Sequence, residues 1–309
     1  MDTDRTPELV RVIVRGWAYL EGQLDNRKEA RAMLLNALAS TSWPTDAATL
    51  VVTPGGFIRT RLPRDYDGGR GWKSKNGDLP KLIPHAEAAV KAVVSGDVLK
   101  LVRSRARFLT IGVDLNIEVH KEERLQDNHR CRSTCPATCT HAELVAILDT
   151  NSGTVVRWTG KSYPVDSQQH TLVHVTDLGS HLLHIGSERL LVLGCHDLFM
   201  FIDRGRKSLY APTPKETRRH RMRKLARKFK PTMILHHPHA TYSPQVWGSA
   251  WGATRSLLPT ARVWASGIAF CGNPEPRRSW KPWQTLDATR SATASQAWVH
   301  DVVIDGCGR

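Results

Sequence analysis

Long apolar runs and export signals are missing from this 309-residue sequence. None of its hydrophobic stretches approaches the ~20 residues that cross a bilayer. The first ten residues, MDTDRTPELV, are acidic and lack the charged-then-apolar order of a secretory signal. These absences predict a cytoplasmic protein with no membrane partner. Cysteine is also scarce, with six in the chain. Because the sequence shows no export signal, these cysteines are interpreted first as reduced thiols rather than as disulfides.

Acidic residues are the other scarce group, since 29 Asp and Glu face 44 Lys and Arg and leave a net charge of +15. Much of the basic excess falls in one segment at 204–230, RGRKSLYAPTPKETRRHRMRKLARKFK. Such a balance favours anionic partners such as nucleic acid, nucleotides or acidic surfaces. A solvated basic helix is the alternative interpretation.

Hydrophobic periodicity predicts an α/β chain with a large core. A strand at 9–14, a helix at 26–40 and a strand at 49–53 form a β-α-β unit. Further strands are predicted at 107–113, 143–149, 154–158, 171–176, 181–185, 189–194, 232–236, 262–270 and 298–304, and further helices at 84–103, 214–229 and 245–257. A long loop is expected over 61–80. Because no internal repeat or dividing linker is present, we expect a single domain over 1–309.

One stretch, LLVLGCHDLF at 190–199, contains the most informative residue of the chain, Cys195. An apolar strand ends at Gly194 and delivers the thiol to a turn, and strand ends are where open α/β sheets place their chemistry. A packed, inert thiol is the alternative, because free cysteine is among the most buried residue types.

A second group of cysteines lies in the sequence HRCRSTCPATCTH. Together with a histidine they could close a tetrahedral zinc site, and the candidate ligands are Cys131, Cys135, Cys139 and His141. Reduced thiols and a disulfide are the alternatives, because all the ligands would come from one short loop. A structural zinc is therefore one interpretation of this insertion at about 120–142, and no cofactor is expected for catalysis.

The order of the predicted elements resembles that of the nitrilase superfamily of carbon–nitrogen hydrolases, over about residues 9 to 305. The hairpin ILDTNSGTVVRWTGKSYP resembles the one that delivers the family's catalytic lysine, here Lys161. LLVLGCHDL resembles the nucleophile strand, with Cys195 as nucleophile and Asp197 behind it. The resemblance implies a four-layer α-β-β-α sandwich that pairs into a homodimer or higher oligomer. It also implies a covalent Cys195 intermediate formed on a small amide or nitrile, with Lys161 stabilising the oxyanion.

One position departs from that pattern. In LVVTPGGF, Gly55 occupies the place of the family's general-base glutamate. Glu118, just past a predicted strand, is one candidate replacement, and His237 and His239 in HHPH are two others. Histidine suits the role of base because its ordinary pKa lies near ~6.5.

The sequence leaves two functions open. The first is a thiol-dependent carbon–nitrogen hydrolase or acyltransferase that uses Cys195, with Gly55, His196 and Asp197 contacting the substrate. The second is an inactive binding or scaffold protein of the same fold, which associates with nucleic acid through 204–230.

Overall fold

The computed structural model describes residues 8–15, 25–44, 48–62, 79–116, 141–164, 172–202, 213–239, 244–270, 282–291 and 299–306. Within them the chain forms two β-sheets and six α-helices, which confirms the predicted α/β class. The helices are α1 Arg27–Leu38, α2 Leu79–Val93, α3 Asp97–Arg105, α4 Pro214–Phe229, α5 Pro244–Leu257 and α6 Pro282–Ala288. The strands are β1 Leu9–Arg15, β2 Ala48–Val52, β3 Ile58–Arg61, β4 Ala106–Asn116, β5 His141–Asp149, β6 Thr154–Gly160, β7 Leu182–Ile185, β8 Glu188–Gly194, β9 Met233–His237, β10 Val263–Ser266, β11 Ile268–Phe270 and β12 Val299–Asp305.

The strands divide into a larger and a smaller sheet. The larger sheet has the order β11-β1-β2-β4-β5-β6, with β12 also pairing with β1 and β3 with β4. The smaller sheet has the order β10-β9-β8-β7. β1, β2 and β4 run parallel, as the predicted β-α-β unit requires, and β8 runs parallel to β9. β5 and β6 form the predicted antiparallel hairpin beside β4.

The two sheets pack face to face through a buried apolar layer. Its members come from both sheets and include Leu50, Val52, Val145, Ile147, Leu190, Val192, Met233 and Leu235. Strand β8 contains an uninterrupted apolar run at 190–193 because both of its faces are buried there. Successive side chains point to opposite faces, so Leu190 and Val192 enter this layer while Leu191 and Leu193 pack on the other side.

Helices cover the outer face of each sheet. On the larger sheet, Leu34 of α1 and Val90 of α2 share a buried cluster with Leu109 of β4. On the smaller sheet, Met222 of α4 and Trp251 of α5 belong to the cluster that contains the outward side chains of β8. Burying each such large apolar side chain contributes about 1.5–3 kcal/mol. The arrangement confirms the predicted four-layer α-β-β-α sandwich.

Several predicted elements differ from the observed ones. The helix expected over 84–103 is two helices, α2 and α3, which are separated at 94–96. The strand expected over 262–270 is also divided, because β10 pairs in the smaller sheet while β11 pairs in the larger one. Residues 172–177 form no continuous strand, and β3, which was not predicted, directly precedes the region expected to be a loop.

The ends of several strands, β8 among them, come together at one edge of the sandwich. The end of β2 reaches the end of β9 in the other sheet, where the N–H of Gly55 donates to the carbonyl oxygen of Pro238 at 2.9 Å. β4 ends beside the start of β5, with Asp114 opposite Glu143, and β6 ends where β5 begins.

None of the helices in the described residues combines the length and the apolar character that a bilayer crossing requires.

Candidate active site

Cys195 lies directly after β8, where the chain turns into the 3-10 helix Asp197–Phe201. The residue is 5% exposed. His236 of β9 holds the backbone there, because its Nε2 donates to the Cys195 carbonyl oxygen at 2.6 Å while its Nδ1 lies 2.9 Å from the Ser266 hydroxyl. Burial lowers the pKa of His236 to about 3. This imidazole is therefore neutral, and it holds the backbone of Cys195 in place.

A buried carboxylate, that of Asp197, ties the Cys195 turn to the loop after β6. Its Oδ1 accepts hydrogen bonds from the N–H groups of Ser162 and Tyr163 at 2.9 and 2.7 Å, and its Oδ2 accepts from Gly194 at 3.0 Å. Hydrogen bonds to a charged acceptor are about twice as strong as neutral ones. Asp197 therefore positions the nucleophile turn, while the substrate contact expected of it stays a prediction.

Lys161 follows β6 and reaches the same edge because β6 and β8 approach closely. A Cβ at Gly194 would lie 2.7 Å from both the N and Cα atoms of Lys161, so any other residue would push the two segments apart. The Lys161 side chain is 1% exposed, and its Nζ donates to Oε1 of Glu143 at 2.8 Å. The structure thus places Lys161 close to Cys195 at this edge.

Lys161 and Glu143 form a buried ion pair. Burial disfavours the ammonium, but the charges of Glu143 and then Cys195 raise the pKa of Lys161 above its ordinary value. Burial also disfavours the carboxylate, but the charges of His239 and then Lys161 hold the pKa of Glu143 well below its usual range. Both groups are therefore charged at neutral pH.

His239 places an imidazole between two carboxylates beside the thiol. Its Nε2 lies 3.0 and 2.9 Å from the two oxygens of Asp114, and its Nδ1 lies 3.4 Å from Oε2 of Glu143. Its backbone N–H donates to Sγ of Cys195 at 3.5 Å. Burial works against the charge, but Asp114 and then Glu143 raise the pKa of His239 well above its usual value. The ring is held as an imidazolium.

Gly55 leaves room for this histidine. A Cβ at position 55 would lie 2.5 Å from the carbonyl oxygen of His237 and 3.2 Å from Nδ1 of His239. The chain after β9 therefore fills the space into which a glutamate at 55 would project. Any side chain at position 55 would therefore compete with His239 for this space.

The surroundings favour the ionised form of Cys195. Burial would raise the pKa of the thiol, but interactions with His196 and then with His239 lower it to about 5. The thiolate is the nucleophilic form of cysteine, so Cys195 is poised for attack at neutral pH. Its Sγ, one nitrogen of His239 and one oxygen of Glu143 all lie within 4.8 Å of one another.

The other two predicted histidines lie on either side of this cluster. The His196 ring packs against Phe199 and Trp247, with centroid distances of 5.5 and 6.2 Å, and interacts with the thiol as described. The His237 ring shares the inter-sheet face of β9 and interacts with the backbone of Thr53. Burial lowers the pKa of His237 to about 3. Of the two histidines predicted as base, His239 is the one that contacts Cys195.

The remaining predicted site residues fall largely outside the described residues. Glu118 is one of them, as are three of the four candidate zinc ligands, Cys131, Cys135 and Cys139. The fourth, His141, begins β5, and its Nε2 lies 3.4 Å from Oε1 of Glu143. A structural zinc in the insertion stays a prediction.

Sequence reasoning missed two carboxylates of the cluster, Asp114 and Glu143. Each stands where an apolar strand meets the edge of the sheet, because Asp114 directly follows the predicted strand 107–113 and Glu143 begins the next one. The signal was therefore an ionisable residue at a strand end. Sequence reasoning passed over it in favour of Glu118.

Three solved structures to which this chain is similar are an amidase, a carbon–nitrogen hydrolase and an NAD+ synthetase. One is a mutant amidase from Nesterenkonia sp. AN1 with acrylamide added to its active-site cysteine; identity is 14% over 84% of this chain and 78% of that one, with a TM-score of 0.46. A carbon–nitrogen hydrolase from Helicobacter pylori G27 is 10% identical over 80% of this chain and 68% of that one, with a TM-score of 0.41. A glutamine-dependent NAD+ synthetase from Acinetobacter baumannii is 11% identical over 80% of this chain and 36% of that one, with a TM-score of 0.40. No protein-family model and no curated protein matches the chain.

Proposed function

We propose that this protein is a cysteine-dependent hydrolase or acyltransferase that acts on the carbon–nitrogen bond of a small amide or nitrile. The observation that carries the proposal is the buried cluster of Cys195, His239, Glu143 and Lys161 at one sheet edge. A thiolate, an imidazolium and an ammonium within one buried site provide a nucleophile, a proton donor and an oxyanion partner.

In the first half of the reaction, Sγ of Cys195 attacks the carbonyl carbon and the C=O electron pair moves onto oxygen. The Lys161 ammonium stabilises that oxyanion, together with the backbone N–H that follows Cys195. When the carbon–nitrogen bond breaks, the departing nitrogen takes a proton from His239. The products are a Cys195 thioester and a free amine; a nitrile would give a thioimidate.

In the second half, His239 is neutral and acts as a general base. It removes a proton from water, or from an acceptor nucleophile, which attacks the thioester carbon. The carbon–sulfur bond then breaks and Cys195 leaves as a thiolate, which restores the starting ion pair. Asp114 supports both halves, because its contact with Nε2 orients the ring and favours the imidazolium.

The test is the rate at which iodoacetamide alkylates Cys195 as a function of pH, with peptide mass mapping to identify the modified thiol. We expect the rate to rise through pH 5, where the thiolate forms, and to stay high at neutral pH. The His239→Ala and Lys161→Ala variants should shift this rise to higher pH. Turnover is then screened with amides and nitriles, using Cys195→Ala as the inactive control.

An inert thiol with an unshifted titration would contradict the proposal. So would a Cys195→Ala variant that turns over amides as fast as the wild type. In that case the chain is a binding protein of the same fold, and its ligand should bind equally well to the alanine variant.

A second candidate function rests on the outer face of α4. Five exposed residues of this helix recur at helical spacing and form one basic stripe, namely His220, Arg221, Lys224, Arg227 and Lys228. Such a stripe fits the phosphates of a nucleic acid. Four phosphate contacts would give a log–log salt slope of roughly −3 to −4. A gel shift that is absent even at low salt would eliminate this function.

A further inference from the structure

The cluster of Cys195, Glu143 and His239 offers one sulfur, one nitrogen and one oxygen donor at a single buried point. In a tetrahedral zinc site, bond lengths of about 2.0–2.3 Å place neighbouring donor atoms about 3.3–3.6 Å apart. Nδ1 of His239 lies 3.4 Å from Oε2 of Glu143. Sγ of Cys195, one nitrogen of His239 and one oxygen of Glu143 all lie within 4.8 Å of one another, so reaching tetrahedral spacing requires a movement of at most about 1.5 Å.

The far side of the histidine ring is already arranged as it is in metal sites. A metal-bound histidine almost always donates its other N–H to a carboxylate or carbonyl, which fixes the ring and raises its basicity. Here Nε2 of His239 lies 2.9 Å from Oδ2 of Asp114. Nδ1 is thereby turned toward Glu143 and Cys195, which are the other two donors.

The charges of the site also fit a divalent cation. Asp114, Glu143 and the Cys195 thiolate carry three negative charges, and Lys161 carries one positive charge. A divalent ion with a neutral His239 would bring the sum to zero. Lys161 need not leave, because its Nζ contacts Oε1 of Glu143 while Oε2 faces the histidine.

We infer that Cys195, His239 and Glu143 form a binding site for zinc or a similar thiophilic divalent cation, with Asp114 as the supporting carboxylate. Binding displaces the Nδ1 proton of His239 to water. It also engages the Sγ electron pair that would attack a substrate. The cation is therefore a reversible inhibitor that competes with alkylation and turnover. The inhibitory consequence rests on the proposed hydrolase function, but the binding does not.

The experiment uses Co²⁺ as a spectroscopic probe for this site. Because Cys131, Cys135 and Cys139 are themselves candidate metal ligands, the 309-residue protein is used as a variant with Cys131→Ser, Cys135→Ser and Cys139→Ser. We expect a thiolate-to-cobalt charge-transfer band with tetrahedral d–d bands, both displaced by Zn²⁺. Adding Cys195→Ser should abolish the charge-transfer band. Adding Asp114→Asn should weaken affinity by roughly 10–100-fold.

Two results would overturn the inference. The first is a charge-transfer band that persists after Cys195→Ser, since the thiolate would then lie elsewhere. The second is the absence of any band while Cys195 still alkylates rapidly, since the thiolate would then be formed but not bind the metal. This second result would leave the proposed catalytic function intact, whereas an inert thiol would count against the catalytic function.

Discussion

The candidate site has two halves, one formed within a single sheet and the other formed between the two sheets. The lysine half, Glu143 and Lys161, comes from neighbouring strands of the β5–β6 hairpin within the larger sheet. The histidine half, Asp114 and His239, comes from both sheets, because β4 supplies the aspartate and the chain after β9 supplies the histidine. A hairpin fixes its pair by local register, whereas the histidine half depends on how the two sheets are packed.

The halves also differ in what their cations can do. Lys161 is an ammonium whose pKa is raised further by its surroundings, so its charge is constant across the neutral range. His239 carries a proton that can leave and return, although its pKa is raised too. A constant charge suits the stabilisation of an oxyanion, while a transferable proton suits general acid–base catalysis. We therefore assign the stabilisation of the oxyanion to Lys161 and the transfer of protons to His239.

The largest effect should come from removing the histidine half. We expect His239→Ala to lower turnover by about 10²–10⁴-fold, the usual contribution of a general acid–base group. The pKa of Cys195 should also rise from about 5, which alkylation kinetics would detect. His220→Ala, in the exposed stripe of α4, is the matched control and should change neither quantity. Equal losses in the two variants would refute the assigned role.

Removing the lysine half should cost somewhat less activity but more stability. We expect Lys161→Met to lower kcat by about 10²–10³-fold, as the loss of an oxyanion donor does. It should also destabilise the fold by about 1–3 kcal/mol, because the buried carboxylate of Glu143 keeps His239 but loses the hydrogen bond from the ammonium. Adding Glu143→Gln should restore much of the stability without restoring kcat. Denaturant unfolding beside steady-state kinetics separates these effects, and a double variant that regains activity would contradict the oxyanion role.

Lys161, Cys195 and His239 were within reach of the sequence, whereas their carboxylate partners, Glu143 and Asp114, were not. Lys161 ends a hairpin whose turn and alternation are local signals, and Cys195 follows an apolar strand buried on both faces. The contact of His239 with Asp114 joins residues 125 positions apart in different sheets. No local pattern encodes such a contact, so Asp114 was missed even though HHPH stood out.

The same separation hid the meaning of Gly55. As a sequence, LVVTPGGF shows only a glycine where the resemblance implies a glutamate, and nothing that takes its place. Only the packing of β2 against β9 shows that the backbone of His237 occupies the space into which a side chain at position 55 would project. The division of the predicted strand 262–270 between the two sheets has the same cause, because sheet assignment depends on packing rather than on local propensity.

A smaller, pH-dependent effect is expected for Asp114→Asn. The asparagine keeps the shape of the side chain but removes the charge that most raises the pKa of His239. The imidazolium exists below its pKa, so the alkaline limb of the turnover profile should move to lower pH. Above the shifted pKa the rate should fall by roughly tenfold per pH unit. An unchanged alkaline limb in the kcat profile would show that His239 is not the proton donor.

The smallest effect is expected for Gly55→Ala, which tests how closely position 55 packs against the end of β9. Gly55→Ala places a Cβ 2.5 Å from the carbonyl oxygen of His237, and backbone must shift to relieve the overlap. We expect a loss of about 1–3 kcal/mol in the free energy of unfolding, with slower alkylation of Cys195 because His239 moves with that segment.

Gly252→Ala is the matched control for that substitution. Its Cβ would meet nothing within 4 Å on the exposed side of α5, so the change should stabilise the helix by roughly 0.5–1 kcal/mol. Denaturant midpoints and alkylation rates of both variants give the comparison. If Gly55→Ala proved as harmless as Gly252→Ala, the chain after β9 would not occupy the space of the missing glutamate. The histidine half would then have to act without the constraint that the packing of β2 against β9 imposes on it.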